Sequence, residues 1–245
     1  MATVTHQEMS NVTDNVMSLV PLELQYLVGV SIILVAVALI AFFWRSQRSM
    51  IVLSAVLAAP HALSALLLVP HYWQPRSVFP IGIAVEDILF MIGVGGMAWI
   101  FSASAVGSRL SITLHPRRIA NRYLSVLAGC AVVGCFLNLV PGRWRMSAIL
   151  LVMAVVVALA VGVRRELWPM AVSGFAFSGA SYTLAMIAGS LAWPEFMALF
   201  RSEHLWGPEV AGVPLEEIVW AFLFGPSWAL VMALIVDARI APVSR

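Results

Sequence analysis

The residues best suited to chemistry are two pairs of adjacent carboxylates set in apolar sequence. Glu216 and Glu217 follow Gly212-Val213-Pro214-Leu215, and Glu86 and Asp87 follow Gly82-Ile83-Ala84-Val85. The two segments coincide at an offset of 130 residues, which also superposes Gly95 on Gly225 and Arg109 on Arg239. Acids this deep in apolar sequence are costly and mark function by default. Four carboxyls meeting at one site titrate as a coupled group, and at least one is expected to hold a proton at neutral pH. Around them the sequence places Trp73, Phe90, Trp99, Trp206, Trp220 and Trp228, and aromatic faces stabilise cations. An acid beside aromatic faces in an apolar cavity suits protonation of a carbon–carbon double bond and control of the resulting carbocation. Two blander readings stand beside this one. Carboxylates in a first helical turn serve as caps, and Trp73 and Trp206 suit an interfacial aromatic belt.

The elements that carry these residues are membrane helices. With 62% hydrophobic and 11% charged residues, the 245-residue chain lies outside the soluble globular range. Seven apolar runs of spanning length occupy approximately 25–44, 50–70, 82–106, 121–140, 146–163, 169–192 and 213–236. In lipid each must be a helix, because a lone segment finds no other partners for its backbone. A barrel would instead show short alternating strands. The expected fold is therefore all-α and integral to the membrane, with the bilayer as partner and no nucleic acid. Residues 1–24 form a polar tail without the basic start of a cleavable signal. They contain a glycosylation sequon at Asn11-Val12-Thr13.

Arginine placement predicts the orientation. With the N-terminus outside, ten arginines fall on the inner side and Arg76, Arg143, Arg145 and Arg201 on the outer, which favours N-out, C-in. The acidic repeat links the third helix to the seventh, four helices apart, so the two copies run parallel. This gives a first three-helix repeat over 25–110, a linking fourth helix within 111–145, and a second repeat over 146–245. Both acidic pairs then lie near the outer face, able to meet across an axis along the membrane normal.

Other residues carry weaker signals. Pro60 should kink the second helix. His61 beside it is a proton relay, a substrate contact, or simply bonded to the carbonyl that proline frees. Gly93-Val94-Gly95-Gly96 suits close helix packing. Small and polar residues from Ser173 to Thr183 suit a tight interface or a cavity wall. Pro214 is expected at the first position of the last helix. Cys130 and Cys135 have no metal spacing and point in different directions, which suits small core residues. The chain has no lysine, which excludes a retinal Schiff base.

Gly-Val-Pro-Leu-Glu-Glu at 212–217, followed by Trp220-Ala-Phe and preceded by Trp206-Gly-Pro, resembles the signature of the integral-membrane lycopene cyclases. Trp73-Gln-Pro-Arg with Glu86-Asp87-Ile-Leu-Phe90 resembles the degenerate partner domain of that family. The resemblance implies cofactor-independent, acid-initiated cyclisation of a linear carotenoid end group, in the cell membrane and alongside other carotenoid-pathway enzymes. It implies Glu216, Glu217, Glu86 and Asp87 as acid, base or cation stabiliser. Ala84 departs from the family's usual proline, and His61 and Ser64 stand where an acidic residue is common. A hydratase that traps the same cation with water fits nearly as well. From another class, so does a seven-helix protein that binds lipid or pigment, or carries protons.

Overall fold

The computed structural model describes residues 20–78 and 83–241. The sequon at Asn11, almost all of the polar tail, and Gly82 lie outside the described residues. Seven helices are long and apolar enough to cross a bilayer: α1 Leu22–Phe43, α2 Arg48–Leu68, α3 Val85–Ser104, α4 Pro116–Asn138, α5 Gly142–Val163, α6 Arg165–Ala192 and α7 Leu215–Ile235. Sheet is confined to two-residue strands, β1 Leu110–Ser111, β2 Glu209–Val210, β3 Val213–Pro214 and β4 Arg239–Ile240.

Five of the seven helices begin earlier than the apolar runs suggest, while α3 and α7 begin two or three residues later. Helix α1 starts at Leu22 behind Pro21, and α5 at Gly142 behind Pro141, with nearly equal cap dihedrals (φ −53°, ψ 144° and φ −54°, ψ 142°). Proline's fixed φ suits a helix entrance, and a polar first turn continues the helix beyond the apolar core. Gln25 and Tyr26, the first residues of the first apolar run, thus lie past the helix start and are buried. Pro214 departs from its expected place. It is the N-cap of α7, not its first helical residue, because it also closes the β2–β3 hairpin. That hairpin turns through Ala211 (φ 52°) and Gly212 (φ 77°), the two left-handed residues of a type I′ turn.

Helices α3 and α7 form the centre. In each, 61% of the most apolar window is buried, against 6% in α4. Helices α1 and α2 pack on α3, α5 and α6 pack on α7, and α6 also packs on α3. Helix α4 lies outside, touching α2, α5 and α7. Its peripheral position corrects the cysteine reading: Cys130 and Cys135 are free and exposed, not core. A helix that contacts its neighbours along one narrow stripe leaves most residue types facing outward.

Small residues set the helix spacing, as expected of the glycine run. A Cβ at Gly95 would meet the Ala58 side chain and lie 3.0 Å from the Ser54 carbonyl oxygen. A Cβ at Gly225 would meet the Ser178 side chain and lie 2.9 Å from the Gly174 carbonyl oxygen. Ala58 and Ser178, like Ser54 and Gly174, are 120 residues apart. Both second helices are irregular near this crossing. Pro60 lies in a 3₁₀ stretch, Ala59–Ser64, and α6 carries a π-turn at Gly174–Ser178. Ser54 Oγ donates to the Gly95 carbonyl at 2.6 Å and receives the Trp228 indole N–H at 3.0 Å, which ties α2, α3 and α7 together.

Residues 130 apart also meet one another. Phe90 stacks on Trp220 with ring centroids 5.8 Å apart. Below the far ends of α3 and α7, Leu110 of β1 pairs with Ile240 of β4. Both helices lead into these strands through a left-handed residue, Gly107 (φ 48°) and Asp237 (φ 51°). Asp237 bears a Cβ in that conformation, and its carboxylate accepts hydrogen bonds from Arg164 at 3.2 Å and Arg239 at 3.1 Å.

Candidate active site

At the opposite end, the first turns of α3 and α7 place both acidic pairs. All four carboxylates are at least nine-tenths buried, and Glu86 and Glu216 are 0% exposed. They divide into two kinds. The Val78 N–H donates to Glu86 Oε1 at 2.7 Å, and the Trp206 N–H donates to Glu216 Oε1. Each therefore anchors the loop that precedes its own helix. The second oxygen of each, Oε2, is buried with no partner among the described residues.

Asp87 and Glu217 instead line a cavity of about 460 Å³. Tyr26 donates its hydroxyl to Asp87 Oδ1 at 2.9 Å, and Tyr182 donates to Glu217 Oε2 at 3.1 Å. The similarity ends at the backbone. The Ala84 N–H donates to Asp87 Oδ2 at 3.2 Å, so Asp87 also caps the backbone at the start of α3. The equivalent residue before Glu217 is Pro214, which has no N–H to give. Among the described residues Glu217 accepts only the Tyr182 bond.

The walls are aromatic. Trp73 meets Tyr26 edge-on at 5.0 Å and stacks on Phe200 at 5.7 Å; Trp220 lies 5.3 Å from Tyr182 and stacks on Phe224 at 4.8 Å. The loop after α2 and the loop after α6 are joined above the cavity. Trp73 bridges to Phe200, the Gln74 N–H donates to the Leu199 carbonyl, and the Arg201 N–H donates to the Tyr72 carbonyl, both at 2.9 Å. The Tyr72 hydroxyl is buried in the lining without a hydrogen-bond partner. Burial first, then the charges of Glu217 and Glu216, push this phenol above the ordinary tyrosine range, so it keeps its proton.

Of the residues singled out in the sequence, Asp87, Glu217, Trp73, Phe90 and Trp220 line the cavity. Glu86 and Glu216 sit beside it as loop anchors. Trp99, His61, Trp206 and Trp228 lie away from it. The Trp99 indole donates to Gln47 Oε1 at 3.1 Å in the core. His61 meets Trp228 edge-on at 4.7 Å and lies 3.7 Å from Cys130 Sγ. Trp206 is exposed and its indole donates to Ser147 Oγ at 2.9 Å. The sequence reading did not single out Tyr26, Tyr72 and Tyr182 as site residues. The available signal was type and setting: the chain has four tyrosines, and a buried phenol needs a partner.

These features define a class: a multi-pass, all-helical membrane protein with an apolar, aromatic-walled cavity into which two carboxyl groups and two donor phenols project. No family model, curated protein or solved structure matches the chain.

Proposed function

We propose that this protein is a cell-membrane enzyme of carotenoid biosynthesis that protonates a terminal carbon–carbon double bond of a linear carotenoid and cyclises the resulting cation without a cofactor. One observation carries the reading: Asp87 and Glu217, 130 residues apart, face the same aromatic-walled apolar cavity. In this reading the chain is a tandem of two parallel three-helix units joined by α4, with the N-terminus outside and the C-terminus inside. The lycopene cyclase-like signature at 212–217 supplies the substrate class. Other enzymes of that pathway are the expected partners.

The backbone difference between the two halves divides the roles. Glu217 keeps Oε1 free of hydrogen bonds while Oε2 accepts from Tyr182, so it delivers the proton. That proton goes to the less substituted carbon of the terminal double bond, and the tertiary cation forms on the dimethyl carbon at the chain end. The next double bond then attacks it and closes a ring. Asp87, held by Tyr26 and the Ala84 N–H, faces the migrating cation as an anion and takes up the proton lost when the ring alkene forms. Proton exchange between the two carboxyls resets the site. Trp220, Phe90 and Trp73 offer ring faces to the cation and exclude water that would otherwise trap it.

Expression in a lycopene-accumulating bacterium, with pigments resolved by chromatography, tests the proposal. Wild type should yield a ringed product, and Glu217→Gln should lower its formation by roughly 10²–10⁴-fold, the range for a lost general acid. A hydroxylated, unringed product would instead identify a hydratase. Unchanged lycopene beside well-folded protein would refute the chemistry.

A further inference from the structure

We propose that the groove between α1 and α6 is a lateral portal to the lipid, through which the long apolar tail of an isoprenoid substrate extends while its end group occupies the acid-lined cavity. This inference rests on the substrate class proposed above but not on the reaction.

Size is the first argument. About 460 Å³ suits a drug-sized ligand or one end group, not a whole linear carotenoid, so the remainder must leave the cavity. The walls indicate where. The lining reaches the surface along α1 and α6 through small residues, Gly29, Ala185, Ala188, Gly189 and Ala192. A Cβ at Gly29 or Gly189 would meet nothing within 4 Å, and the three alanines are exposed. Towards the loops the passage is closed. The turn Pro194–Met197 packs on α1, and Gln25 Nε2 donates to Glu195 Oε2 at 3.5 Å.

The second argument comes from the other half of the molecule. The offset that relates α1 to α5 and α2 to α6 makes the α2–α5 groove the counterpart of the α6–α1 groove. The α2–α5 groove is covered by α4, whose Tyr123 hydroxyl donates to the Leu57 carbonyl at 2.6 Å. Among the described residues no membrane-spanning helix covers α6 and α1 in this way; only the short turn Pro194–Met197 touches both, at the loop end. Inside, the Tyr72 hydroxyl, 3% exposed and without a partner, lines the same cavity as Glu217. The lining thus carries carboxyl and phenol groups inside, while the mouth residues Gly29, Ala185, Ala188, Gly189 and Ala192 bear no polar side chain, which suits an alkene-headed chain reacting at one tip.

The test uses the full chain in nanodiscs, with binding read from the absorption shift of lycopene. A competing ten-carbon acyclic terpene that carries the same end group is the second probe. Gly29→Phe and Ala188→Phe fill the mouth, and Val132→Phe on the exposed face of α4 is the control for added bulk. The portal variants should bind lycopene roughly 10-fold or more weakly, bind the short terpene as wild type does, and elute as a single species. The control should match wild type with both probes. Undiminished lycopene binding by the portal variants, or equal loss of both probes, would overturn the portal. Lycopene bound but not converted by wild type would overturn the reaction alone, leaving the portal supported. Binding of neither probe by wild type would overturn both.

Discussion

Asp87 and Glu217 illustrate how one backbone atom differentiates two otherwise similar carboxyls. Each sits in the third helical position and receives a tyrosine hydroxyl, but only Asp87 has a preceding N–H within reach. Ala84 already has φ −67° and ψ 146°, which proline adopts without strain. Ala84→Pro should therefore cost about 1 kcal/mol for the lost cap bond, offset by about 0.4–1 kcal/mol from the stiffened unfolded chain. The expected shift in thermal unfolding is a few degrees at most. A loss of many degrees would mean that the Ala84 N–H does more than cap. At this scale the acids were legible, because charge in apolar sequence is conspicuous. Their division into cavity groups and loop anchors was not, since it depends on which loop N–H each oxygen meets. The three tyrosines were obscured for a similar reason: a tyrosine in or beside a membrane helix looks the same whether it faces headgroups, a neighbouring helix or a buried acid.

At the scale of elements, glycine has two opposite meanings here. Gly95 and Gly225 hold α3 on α2 and α7 on α6 at backbone contact, with no room for a methyl group. Gly95→Ala or Gly225→Ala should destabilise by about 1–3 kcal/mol, as overpacking does. Gly129 and Gly134 of α4 face open space, so Gly129→Ala should stabilise by up to about 1 kcal/mol through helix propensity. Melting temperatures in detergent for the three variants check both signs. If Gly95→Ala melts like wild type, the crossing is not tight. The helices themselves were legible to within a few residues, because each apolar run marks the buried length. The starts at Leu22 and Gly142 were not, because the first turns are polar. The 130-residue offset was visible between α3 and α7, whereas the match of α1–α2 to α5–α6 lies at 120 and is displaced by a longer loop before α7.

For the whole molecule, equivalent positions of the two central helices also meet in the pairing of β1 with β4. The Ala241 N–H donates to the Arg109 carbonyl at 3.0 Å, which makes Leu110 and Ile240 the flanking non-hydrogen-bonded pair, typically with Cα atoms about 4.5 Å apart. That separation lies within the disulfide range. Leu110→Cys with Ile240→Cys, in a background of Cys130→Ser and Cys135→Ser, should therefore cross-link on mild oxidation and migrate faster on a denaturing gel. Absence of a cross-link under conditions that oxidise a control pair would contradict the strand register and, with it, the way the two central helices end together.

The partners of the four carboxyls have a consequence for how the protein is made. Glu86 is met by Val78 and Asp87 by Tyr26, while Glu216 is met by Trp206 and Glu217 by Tyr182. Each acid receives a hydrogen bond from a residue on its own side of α4, and in each case from one that precedes it in the chain. At a synthesis rate of about 5–20 residues per second, α3 emerges roughly ten seconds before α7. It can enter the bilayer with its charges already accompanied and need not wait at the translocon for the second half. The cavity closes later, when Phe200 and Arg201 reach Trp73 and Tyr72. The cavity wall is therefore completed only when the second half of the chain arrives, after the acids of α3 have met their own partners.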